Sequence, residues 1–262
     1  MRKLVRKPDS YDPRDYLYIP RRMASPLLSA PQSIDLTARL PEVFDQGDEG
    51  SCGPNAASAL LCYLKNVTTP FSRNQIYYCV RKIENDVDQD QGVETRDLFK
   101  VLQKTGAALE TLWPYDAQDL FEAPSAAVLA AAHENVISIY ARLTTEDDFI
   151  NCLTEKFPFI LGISVYSSLM SDQAAKTGIV THPTPNEPEQ GGHDILVAGF
   201  DLNFKQNPAF LQSGVDPSLV DDHALLIRNS WGEGWGLKGN FWLPMSYATS
   251  ATSGGDAWTA RL

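Results

Sequence analysis

The sequence predicts an α+β fold, with helices gathered in its first half and strands in its second. Two observations carry this prediction. Between residue 52 and about 134 the apolar residues recur at helical spacing, whereas from about 135 onward they fall in short alternating runs bounded by turn residues. At 262 residues the chain can also bury a substantial core and divide into two lobes.

Residues 1 to about 32 are a different kind of sequence. Prolines at 8, 13, 20, 26 and 31 forbid a long helix and favour an extended or turning path. Asp9, Asp12, Arg14 and Asp15 are interleaved with Tyr11, Tyr16, Leu17, Tyr18 and Ile19. The segment reads either as an arm laid on the surface or as one lying at a cleft, with the tyrosines as anchors.

The first helix is expected over Pro54 to Lys65, where Ala56, Ala57, Leu60, Leu61 and Leu64 make a broad apolar face whose small residues suit a buried central position. Ser72 caps a second helix running to Arg81, and Thr95 to Lys104 forms a third, closed by Gly106. Alanine dominates Pro124 to Glu134, which reads as a fourth. Then the period changes: Val136, Ser138 and Tyr140 alternate, and Thr145 caps a helix to Thr154. Strands are expected at Phe159–Tyr166, Gly178–Thr181, Asp194–Phe200, Ala224–Asn229 and Asn240–Leu243. Thr181 to Gly192 and Asn203 to Asp222 read as long loops at a cleft rim or as surface insertions.

A net charge of -11 disfavours nucleic acid and anionic membrane as partners. No apolar run reaches the roughly 18 residues that span a bilayer, so membrane insertion is not expected. The start, Met1 to Pro8, is basic like the beginning of a secretory leader but has no apolar segment behind it. The reading is therefore cytoplasmic, or secreted or periplasmic if a leader has been removed. Four cysteines make no disulfide framework, though Cys62, Cys79 and Cys152 leave room for one bridge. Histidines and cysteines show no metal-ligand spacing, and neither a metal nor another cofactor is expected.

Cys52 follows the turn Gln46-Gly-Asp-Glu-Gly-Ser51 and opens the first helix, where unpaired N–H groups favour a thiolate and should lower its pKa. Gly191-Gly192-His193 precedes a strand, and Arg228-Asn229-Ser-Trp231-Gly follows another. Cysteine, histidine and asparagine in this order describe a thiol acyl-transfer site. His133, His182 and His223 lack the glycine and strand-start context of His193, and His223 is the one competitor.

These motifs resemble those of the papain-like cysteine peptidases: glutamine, glycine and cysteine around the nucleophile, Gly192-His193 before Ile195-Leu-Val-Ala-Gly199, and Ile227-Arg-Asn229-Ser-Trp231-Gly-Glu-Gly-Trp235-Gly236. The resemblance covers most of residues 33 to 245. It implies a two-lobed fold with a helical lobe over about 52–134 and a β-barrel-like lobe over about 135–262 plus residues near 33–45. Residues 33–262 would form the peptidase domain and 1–32 a short propeptide or cleft-covering segment. It further implies an endopeptidase in which Cys52 and His193 form a thiolate–imidazolium pair, Asn229 orients the ring and Gln46 donates to the oxyanion. Gly92, Gly192 and Trp231 would contact an extended polypeptide substrate, and the protein would act as a monomer. The arm stretch Asp9 to Ile19 is expected to cross or edge the cleft.

Three departures mark a divergent, bacterial-type branch. Asp48, Glu49 and Gly50 stand where many relatives have a bridged cysteine, Gly53 replaces the usual tryptophan, and Asp194 follows His193 where a small apolar residue is common. The Asp194 carboxylate either raises the basicity of His193 or points away from it. Two other readings stay open: an acyl or peptidyl transferase on the same triad, and a non-enzymatic binding module on a peptidase scaffold.

Overall fold

In chain order the elements are β1 (Ser33–Asp35), α1 (Cys52–Lys65), α2 (Arg73–Glu84), α3 (Thr95–Lys104), α4 (Ala126–Ala132), β2 (Ile139–Leu143), α5 (Glu146–Thr154), β3 (Phe159–Tyr166), α6 (Asp172–Thr177), β4 (Glu189–Asp201), α7 (Pro208–Leu211), β5 (Ala224–Arg228), β6 (Asn240–Pro244), α8 (Met245–Thr249) and β7 (Gly254–Arg261). The computed structural model describes residues 2–20, 31–250, 252 and 254–262; Met1 and arm residues 21–30, with Pro26, lie outside the described residues.

The helical half forms as the local signals dictate. Every residue of α1 from Cys52 to Tyr63 is buried, and the helix ends at Asn66, whose left-handed backbone returns its N–H to Cys62 O and Tyr63 O. Ser72 caps α2 by accepting the Gln75 N–H, and α2 ends at a second left-handed asparagine, Asn85. The Thr145 hydroxyl and the Asp148 carboxylate form a reciprocal capping box at the start of α5.

The strands form a sheet of order β2-β7-β3-β4-β5-β6, and every pairing between named strands is antiparallel. β1 pairs with the end of β4, Ser33 to Asp35 opposite Asp201 to Gly199. The expected barrel-like lobe is not what forms. The sheet is open, and among the described residues its end strands β2 and β6 do not pair. The reason lies at the edges, which short segments cover instead of each other. Along β2, Tyr18 N–H donates to Arg142 O at 2.8 Å and Arg142 N–H to Tyr16 O at 2.7 Å. Along β6, Val180 N–H donates to Trp242 O at 3.0 Å.

Other expectations shift in detail. Gly178–Thr181 is a single bridge from Ile179 to Trp242 rather than a strand. β4 begins at Glu189, inside the expected loop, and β7 was not anticipated. The Asn203–Asp222 stretch carries a small core of its own, with Phe204, Phe210 and Val220 packed on Trp242 and Ile179. Of the arm tyrosines, Tyr18 is buried while Tyr11 and Tyr16 are exposed. All four cysteines are free and buried.

Candidate functional site

α1 starts at Cys52, and the turn before it is pinned from three sides. Gln46 N–H donates to Ser230 O at 2.9 Å. The Gln46 side chain donates to Glu49 O at 2.9 Å and accepts from Ser230 Oγ at 2.7 Å. Tyr115 Oη donates to Gln46 O at 2.9 Å and stands 2.5 Å from Ser51 Oγ. One hydrogen of the Gln46 amide is thus committed to Glu49, leaving its second N–H for another acceptor.

His193 lies on β4 and is fully buried. Its Nε2 is 2.9 Å from Asn229 Oδ1, just past the end of β5. That oxygen also accepts the Ser230 N–H at 2.9 Å, which fixes it as the acceptor end of the amide. His193 Nε2 must therefore carry the hydrogen, and Nδ1 keeps a bare lone pair that finds no partner. The Trp231 indole stacks on the imidazole with ring centres 4.9 Å apart, and Trp235 meets Trp231 edge-on.

The thiol and imidazole walls are contiguous, because the N–H of Asp194, next to His193, donates to Cys52 Sγ at 3.4 Å. The thiol pKa is not lowered as its helix-start position suggested. Burial pushes Cys52 up to about 12, outweighing the Asp194 and Gly53 N–H groups that favour thiolate. Burial likewise depresses His193 to about 4. Both shifts favour the neutral thiol and the neutral imidazole.

Residues 2–9 lie along this region. Arg6 N–H donates to Gly192 O and Lys7 N–H to Val93 O, both at 3.2 Å, so the arm runs between the walls that carry Gly92 and Gly192. Gly92 has φ +72°, and a side chain there would strike the Val5 carbonyl. Arg2 pairs with Asp45 and donates to Trp231 O at 3.0 Å. Lys3 pairs with Asp90 at 2.6 Å, and Lys7 with Glu84 and Asp86. The stretch expected at the cleft, Asp9 to Ile19, instead leaves it. Asp9 meets the Arg96 N–H and Trp258 Nε1, Asp15 pairs with Arg96, and Tyr16 to Tyr18 follow β2.

Gln46, Cys52, His193, Asn229, Gly92, Gly192 and Trp231 thus gather in one region. His182 pairs with Asp221 at 2.8 Å and His223 with Glu146 at 2.6 Å, so neither belongs to it. The Asp194 side chain points away from His193, as alternation along a strand requires. It accepts from Thr95 Oγ1 at 2.9 Å. Arg6, Thr95, Gly162 and Asp256 also converge there; strand alternation alone could have turned Asp194 outward, but nothing local signalled the others.

A model described as papain family cysteine protease matches residues 30–254, and the chain belongs to this family. It is a cysteine endopeptidase of that family, acting on polypeptides. It is 32% identical over 240 residues to an uncharacterized peptidase C1-like protein of Acanthamoeba polyphaga mimivirus, covering 86% of this chain and 71% of that one. The crystal structure of xylellain, a cysteine protease from Xylella fastidiosa, superposes with a TM-score of 0.82 at 30% identity, over 98% of this chain and 95% of that one. A procathepsin B from Trypanosoma congolense shares the fold at TM-score 0.71 and 14% identity, over 98% of this chain and 86% of that one.

Proposed function

We propose that Cys52 is the nucleophile of this peptidase, His193 its base and acid, and Asn229 the group that orients the imidazole. The observation that carries this is the 2.9 Å contact of His193 Nε2 with Asn229 Oδ1, which leaves Nδ1 free to take a proton beside the thiol. When the arm leaves, the Cys52 proton passes to Nδ1 and the thiolate attacks the scissile carbonyl. The oxyanion is held by the Cys52 N–H and the uncommitted N–H of Gln46. Nδ1–H then protonates the leaving amine, and His193 activates the water that hydrolyses the thioester. Trp231 shields the His193–Asn229 bond from water.

Residues 33–262 act as the peptidase domain, and the arm is its inhibitory cover. The arm backbone bonds to Gly192 O and Val93 O, which supports an extended substrate held between the same walls, with Gly92 allowing close approach. Every proposed catalytic group comes from one chain, so the site needs no second copy.

The test is intact mass after incubation with a broad epoxide inhibitor of cysteine peptidases, on the wild type, Cys52→Ala and an arm-weakened Arg6→Glu chain. One label that requires Cys52, and forms faster in Arg6→Glu, is the expected result. No label on folded Arg6→Glu would overturn the assignment and favour the binding-module reading.

A further inference from the structure

Arg6 drives its side chain into the protein and is only 7% exposed there. Its guanidinium pairs with Asp256 of β7, lies 3.3 Å from Asp194 Oδ1 through Nε, and donates to Thr95 Oγ1 at 3.4 Å. Thr95 in turn donates to Asp194 Oδ1 at 2.9 Å. Three elements, α3, β4 and β7, thereby supply one polar pocket. Gly162 of β3 makes the room, because a Cβ there would collide with the Arg6 guanidinium.

Lifting the arm away shows what the pocket wants. Asp256 would keep Arg142, whose Nη2 donates to it at 2.5 Å, but would lose both Arg6 and the Asp9 N–H. Asp194 would keep only the Thr95 hydroxyl on one oxygen, and its Oδ2 has no partner even now. A carboxylate buried this deeply without a counter-charge is costly, so the vacated pocket favours a cation over an apolar or acidic side chain. Two acceptors on separate strands suit a planar guanidinium better than a single ammonium. The pocket also adjoins the nucleophile, since the backbone N–H of Asp194 points at Cys52 Sγ.

We infer that this pocket selects substrates, admitting an arginine, and less well a lysine, side chain of the polypeptide to be cut, with Arg6 as its resident stand-in. The inference rests on the peptidase reading above and adds the substrate class. It names Asp194, Asp256, Thr95 and Gly162 as specificity-determining residues.

The first measurement uses the full chain and the arm as reporter: the rate at which a small alkylating agent labels Cys52 in Arg6→Lys, Arg6→Leu and Arg6→Glu. A cation-selecting pocket keeps Arg6→Lys within about threefold of wild type, while Arg6→Leu and Arg6→Glu label about tenfold faster or more. Arg6→Leu protected as well as wild type would overturn the inference, and this readout needs no turnover. The second measurement profiles cleavage of a peptide library by the full-length Arg6→Glu chain, alone and combined with Asp256→Ala. Basic residues should be enriched at one fixed distance from the cut, and the enrichment should vanish with Asp256→Ala. Cleavage with an apolar or flat preference overturns the pocket assignment and leaves the peptidase reading intact. Absence of both cleavage and Cys52-dependent epoxide labelling overturns the two together.

Discussion

Asp194 faces two ways: its N–H reaches Cys52 Sγ at 3.4 Å, while its carboxylate turns to the other face of β4 and lies 3.3 Å from Arg6 Nε. The donor to the proposed nucleophile and a wall of the pocket that receives Arg6 are therefore one residue. Displacing the arm changes the surroundings of both at once.

Ionisation of the thiol should follow the arm. Burial holds Cys52 near 12 and His193 near 4 in the covered state. Wild type at neutral pH should show no thiolate ultraviolet absorbance, and Arg6→Glu should gain a signal that Cys52→Ala removes. Equal thiolate signals in wild type and Arg6→Glu would show that the cover does not set the protonation state.

Gln46→Ala should lower kcat by about 10²- to 10³-fold with little change in KM, because the lost donor acts on the oxyanion rather than on bound substrate. Steady-state kinetics on a fluorogenic peptide, in the Arg6→Glu background, reads both parameters. A rise in KM alone would move Gln46 out of the oxyanion site.

Arg73 braces Asn55 and Tyr115, which hold the loop that carries Gln46. It pairs with Glu110 through two bonds of 2.9 and 2.7 Å, donates to Asn55 Oδ1 at 2.9 Å, and lies 3.8 Å from the centre of the Tyr115 ring. Arg73→Ala should destabilise the fold by about 3–5 kcal/mol, since it strands a half-buried carboxylate. Arg73→Lys should recover little, because an ammonium cannot reproduce the fork and the stack. Denaturant midpoints give both numbers.

Gly162→Val should fill the space now taken by the Arg6 guanidinium. The fold should survive, since a β-branched residue suits β3. Cys52 labelling should speed up, and basic side chains should lose their advantage in the peptide library. An unchanged arm and an unchanged profile would mean that the guanidinium finds other room.

How much of this was legible in the sequence depended on how locally each feature is encoded. The caps at Ser72 and Thr145, the run Phe159–Tyr166 and the three site motifs are each set by a few adjacent residues, and all were readable. β7 carries no clear local signal, since it opens on Gly254-Gly255 and its strand character comes from pairing with β2 and β3 on both sides. The open sheet was missed because closure depends on what covers the edges, and the arm that covers β2 is distant in sequence. The pocket that holds Arg6 joins residues 95, 162, 194 and 256, a set that no window along the chain could reveal.

The position of β7 has a consequence for the order of events during synthesis. It is made after every other strand, yet it lies between β2 and β3 and carries Asp256, the partner of Arg6. β2 cannot join the sheet until this late strand arrives, and Arg6 cannot pair with Asp256 before then. Completion of the sheet and full seating of Arg6 on Asp256 therefore depend on the same late strand.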